Sequence, residues 1–179
     1  MTTYGGKELA GAFRTVRQNT IKVAEDIPES NYAHVPAAAC KSVAGMLAHI
    51  AVSTGIWEEI HKKQRLTTLV GLDYFGLRGR FEAEEAKPRS KAEIVEWLRT
   101  SGEQFAAWLE TVTPEFLGEM VTEPDGKTAK SRFERLLGAK EHEMHHRAQL
   151  MLIERQLGIV PHITRQFAER LAQTRAAKA

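Results

Sequence analysis

Between Ser90 and Val112 the chain spells out one helix. Ser90 and Glu93 form the S-x-x-E pattern of a capping box, Pro88 stands just upstream, and Ile94, Trp97, Leu98, Phe105, Trp108, Leu109 and Val112 recur at helical spacing. Such an apolar stripe must be buried against other elements, so the rest of the chain has to supply partners. It supplies more helices. Leu9, Phe13, Val16, Val23 and Ile27 make a second stripe, closed by Pro28. Ser42 is placed to cap a helix running to about Gln64, and a further long helix is expected from about Ser131 to Leu157, with Gly158 and Pro161 ending it. Thr113-Pro114 predicts a short helical turn. Ile163, Phe167 and Leu171, with Arg165, Glu169 and Arg170 opposite, predict a C-terminal helix.

Residues 67–89 are too long for a bare loop inside a compact domain, and a short helix lying over a site is expected there. No alternating run is long enough for a sheet. The fold class expected is therefore all-α: a four-helix bundle with short additional helices, in one domain spanning 1–179.

Charge excludes some functions. The 25 Lys and Arg against 23 Asp and Glu leave a formal charge of +2, and the basic residues are scattered, so no nucleic-acid groove is expected. The longest apolar stretch, Val43 to Ile60, is interrupted by His49, Ser53, Thr54, Glu58 and Glu59, which argues against a membrane span. No apolar signal-peptide core is visible, and the single cysteine, Cys40, cannot form an intramolecular disulfide; both favour a cytoplasmic location. Cys40 itself reads as a small apolar residue.

Chemistry gathers in "KEHEMHHRAQL", residues 140–150, where His142-Glu143-Met144-His145-His146 matches H-E-x-x-H. At about 100° per residue, with His142 at zero, His146 falls near 40°, Ile153 near 20° and Leu157 near 60°, so the histidine pair shares an apolar, inward face. On the earlier helix His49 falls between Ile56 and Ile60, also inward, whereas His61 lies about 120° away and is expected to be solvated. Inward histidines are often core residues held by hydrogen bonds, but an i,i+4 pair brings two rings to one point, and His49 makes a third. Imidazole donors suit zinc, nickel, copper or iron, and three neutral ligands leave a coordination position open. His34 and His162 have no such company.

A zinc protease needs a third ligand downstream. Gln149 and Leu152 stand where the elongated motif requires Gly and His, only Glu169 is spaced as an acidic alternative, and no sheet is expected for substrate to rest on. The motif reads as metal binding rather than proteolysis, with Glu143 incidental.

"PDGKTAKSRFERLLGAKEHEMHHRAQLMLIERQLG" (124–158), with its H-x-x-x-H-R-x-Q element, and "SVAGMLAHIAVSTGIWEE" (42–59) together resemble the DinB/YfiT-like proteins. One departure is Ala148, where that family usually has glycine. The resemblance implies a four-helix bundle, frequently dimeric, in which His49, His142 and His146 bind a divalent metal, zinc or nickel foremost and iron as a further candidate. It implies supporting or packing roles for His145, Arg147 and Gln149. It also implies a small-molecule substrate and, from relatives that use bacillithiol or mycothiol, transfer of a low-molecular-weight thiol to an electrophile. Metal-assisted hydrolysis and a non-enzymatic helical metal-binding or assembly module are the alternatives. Glu143 or Glu59 is a candidate base, and Trp57, Tyr74 and Phe75 are candidates for a dimer face or a substrate mouth.

Overall fold

The computed structural model describes residues 4–177. Its bundle helices are α1 (Gly6–Asp26), α2 (Val43–Trp57), α4 (Lys91–Glu110) and α6 (Arg132–Gln156), with additional helices α3 (Tyr74–Glu85), α5 (Pro114–Gly118) and α7 (His162–Ala176). Cap chemistry fixes where they begin. The Ser42 hydroxyl accepts from the Gly45 amide and the Thr113 hydroxyl from the Phe116 amide, while Ser90 with Glu93 and Ser131 with Glu134 close reciprocal boxes. Helix α2 does not stop at Trp57; it widens into a π-helical turn, Glu58–Lys63. Beside the helices of this all-α fold lies one small antiparallel pair, β1 (Met120–Thr122) with β2 (Ala129–Ser131), in which Val121 faces Lys130. Three-residue strands lie below any readable alternation.

Helix α1 packs on α4 and α6, and α2 packs on α4, α6 and α3, which closes α1, α2, α4 and α6 into a bundle. Its interior is apolar at both ends. Leu47, Ile50, Leu98, Leu150 and Ile153 belong to one cluster, and Leu9, Phe13, Phe105, Leu109 and Leu136 to the other. A buried ion pair joins α1 to α6 in this interior: the Arg17 Nε donates to both Glu143 oxygens at 3.0 Å, and its Nη1 donates to the carbonyl of Leu98 at 2.7 Å and to Ser101 Oγ at 3.0 Å. Gly102 makes room for it, because a Cβ there would lie 2.6 Å from Arg17 Cγ. A third cluster, Ile60, Leu69, Leu77 and Val121, anchors α3 and the small sheet beside α2. Among the described residues no helix is long and apolar enough to cross a membrane.

Candidate metal centre

His49 leaves α2 near mid-helix, and His142 and His146 leave α6 one turn apart. All three are partly buried, as the apolar faces they share require. Their Nε2 atoms meet: His142 Nε2 is 3.1 Å from His49 Nε2 and 3.2 Å from His146 Nε2. The three donors lie within 4.8 Å of one another, the one such group of metal-binding type among the described residues.

Two of the opposite ring nitrogens are committed. His49 Nδ1 is 2.7 Å from Glu85 Oε2, and a carboxylate can only accept, so Nδ1 carries the proton and Nε2 keeps its lone pair. His146 Nδ1 is 2.8 Å from Gln149 Oε1, which imposes the same tautomer. Gln149 is held in turn, its amide nitrogen donating to His145 Nε2 at 3.3 Å. Burial, reinforced by the neighbouring imidazoles, pushes His142 down to about 3, and burial also lowers His146, so both are neutral at physiological pH. The free lone pairs of His49 and His146 thus converge on His142 Nε2, and donors bound tetrahedrally at about 2 Å from one ion stand a little over 3 Å apart, close to the spacing seen here. The residues fit a divalent transition metal.

A cavity of about 340 Å³ opens beside His49 and His142, with Val52, Ile56 and Phe81 as apolar walls. Trp57 and Tyr74 line it too, and Arg78 and Arg135 supply its cations. Helix α3 forms one side of it, as expected of a helix lying over a site. It also delivers Glu85, which sequence reasoning missed; the Glu85 carboxylate lies between His49 and an ion pair with Lys41. A second cavity, about 540 Å³, shares Ile60, Tyr74 and Arg135 with the first and includes the exposed Phe75.

The DinB superfamily model matches residues 12–150, most of the chain and all three histidines. The chain belongs to the DinB superfamily. Solved structures share its fold. They include a DinB-like protein, YjoA, of Bacillus subtilis (21% identity, 84% of this chain and 92% of that one, TM-score 0.62); YfiT of Bacillus subtilis (14%, 89% and 91%, 0.68), described as "a probable metal-dependent hydrolase with an unusual four-helix bundle topology"; and an uncharacterised protein of Clostridium difficile 630 (13%, 87% and 98%, 0.65). At these identities the likeness speaks for the fold alone. No curated protein matches the chain significantly.

Several side chains of this DinB-superfamily protein lie away from the histidines. Glu143, the acid of the H-E-x-x-H letters, is committed to Arg17. Glu59 bonds to Lys63 and Gln64 and does not line the histidine cavity, and Glu169 is exposed on α7. Arg147 donates to the Val16 carbonyl and so ties α6 to α1. His162 meets Asn19 Oδ1 at 3.0 Å. Two expectations are corrected. His61 is fully buried rather than solvated, because the π-helical turn changes the angle per residue on which the expectation rested. Cys40 is exposed, not packed as an apolar residue.

Proposed function

We propose that this chain is a divalent-metal-dependent enzyme acting on a small electrophilic substrate, with His49, His142 and His146 as the ligands. The reading is carried by the meeting of three Nε2 atoms, two of which have their opposite ring nitrogens committed as donors. Zinc or nickel suits an all-imidazole set, and iron is compatible with it. When bound, the ion supplies a positive charge that lowers the pKa of a small nucleophile beside it.

The protein's own residues do the rest. Glu85 and Gln149 hold protons on Nδ1 of His49 and His146 and keep both rings oriented. Val52, Ile56 and Phe81 keep water from the apolar part of a substrate, and Trp57 offers a flat face. The two acids in the cavity wall are engaged, Glu82 by Arg78 and Glu85 by His49 and Lys41, so no free carboxylate in that wall competes for the role of general base.

Water as nucleophile makes the enzyme a hydrolase, a reading supported by the description of the YfiT relative. A low-molecular-weight thiol makes it a transferase, and the second cavity favours this, because it gives another organic reactant room next to the first. Cys40 does not line either cavity, so such a thiol comes from outside the chain.

Metal analysis of the purified protein tests the proposal. One transition metal per chain is expected, lost in His142→Ala and in His49→Ala. A protein without stoichiometric metal, its melting temperature indifferent to chelator and to His142→Ala, sinks it. Thiol consumption against an electrophile panel, set beside hydrolysis of the same compounds, then separates the two nucleophiles.

A further inference from the structure

A cavity of about 250 Å³ lies away from the histidines, between the π-helical turn and the end of α4. Its wall includes His61, Lys62, Arg65, Trp108, Thr113 and Phe116, and no acidic residue. Of the carboxylates on neighbouring segments, Glu58 is engaged with Lys62 and Glu119 with the buried Arg132, while Glu115 bonds within the first turn of α5, to its own backbone and Thr113.

His61 is the residue without an explanation. Arg132 approaches its Nδ1 at 3.1 Å, and a guanidinium can only donate, so Nδ1 is the acceptor and Nε2 carries the hydrogen. That Nε2–H is buried and has no partner among the described residues. Burial, with Arg135 and Arg132 adding to it, pushes His61 down to about 3, so the ring is a neutral donor at physiological pH. Buried donors in folded proteins are almost always paired. Arg65 points the same way. It holds a left-handed backbone, φ 49°, its guanidinium has no carboxylate partner among the described residues, and its Cζ sits 5.3 Å from the Phe116 ring centroid. That backbone ends the π-helical turn, where the Leu66 amide reaches back to the Ile60 carbonyl at 3.0 Å.

We propose that this cavity is a second binding site, for a small aromatic carboxylate, with the His61 Nε2–H and the Arg65 guanidinium as its anion contacts. Trp108 and Phe116 provide flat apolar surface for the ring. A lone water would satisfy Nε2 but would make no use of the two rings or the cation beside it. The site does not depend on the metal. It nonetheless adjoins the histidine cavity through the turn itself, where Ile60 lines that cavity and His61 lines this one.

Benzoate titrated calorimetrically into the metal-free full chain is the test, with benzamide as its uncharged counterpart. Saturable binding of one benzoate per chain is expected, weakened about tenfold or more in benzamide and in Arg65→Gln. Arg65 is exposed and Arg132 uses only its backbone carbonyl, so this variant keeps the wild-type melting temperature. His142→Ala should bind benzoate as the wild type does. Absence of benzoate binding, equal binding by Arg65→Gln, or loss of binding in His142→Ala overturns the proposal, the last by locating benzoate at the histidines.

Discussion

His49 and Glu85 meet on different helices, Nδ1 to carboxylate oxygen at 2.7 Å, and Lys41 holds the same carboxylate in an ion pair. Helix α3 is therefore more than a cover over the cavity. It sets the tautomer and the aim of one of the three converging imidazoles.

Glu85→Ala should weaken zinc or nickel binding about 10- to 100-fold, as losses of a ligand's hydrogen-bond partner do. Competition with a chromogenic chelator measures it. Glu85→Gln, which keeps an oxygen acceptor, should lose less, and unchanged affinity in both variants would remove α3 from the metal's support.

The contact between α2 and α3 depends on Gly55. A Cβ there would collide with the Phe81 ring, with Cζ at 3.0 Å and Cδ1 at 3.3 Å among the nearby atoms. Gly55→Ala should cost about 1–3 kcal/mol through overpacking and displace α3. Metal affinity should fall alongside, in the direction of Glu85→Ala. A variant destabilised in urea yet unaltered in metal affinity would contradict this coupling.

Glu143→Ala leaves Arg17 as a buried charge without its carboxylate, a change that typically costs about 3–5 kcal/mol. Urea unfolding should register the loss while metal stoichiometry stays at the wild-type value. A protease-type role for Glu143 predicts the reverse: near-normal stability with altered chemistry at the metal.

Glu154 is fully buried with neither oxygen paired among the described residues, and burial, aided by Asp26, raises its carboxyl to about 7. The unfolded chain releases that proton near the ordinary value of 4.5. Folding is thus favoured below 4.5, and the advantage is lost as pH rises through 7. His61 acts in the opposite sense, its lowered value removing stability as pH falls from 6.5 toward 3. The two trends overlap, so the difference between wild type and Glu154→Gln isolates the glutamate. It should slope between pH 4.5 and 7, with an amplitude on the order of 1–3 kcal/mol, and flatten above. A flat difference throughout would mean that Glu154 finds a partner in solution.

The helices and the inward histidines were legible because each rests on local chemistry. Ser42, Ser90, Thr113 and Ser131 stand at helix starts by composition alone, and a constant angle per residue puts His49, His142 and His146 on apolar faces. Glu85 was hidden because α3 buries only Leu77, leaving no stripe to read, and its partner lies 36 positions away. His61 was misread because a π-helical turn does not keep that angle. Arg17 looked like one more scattered surface cation, and nothing local announces a carboxylate 126 positions downstream.

His49 and His142 stand 93 positions apart in the chain. An ion shared between them closes a loop of that length, and its removal from the unfolded ensemble would be worth a few kcal/mol by loop-closure entropy. The same three imidazoles would then act as a clasp between the first and last long-helix pairs. Chelation would loosen the tertiary structure as well as the chemistry, and the holoprotein's lifetime against unfolding would be tied to the rate at which the ion escapes.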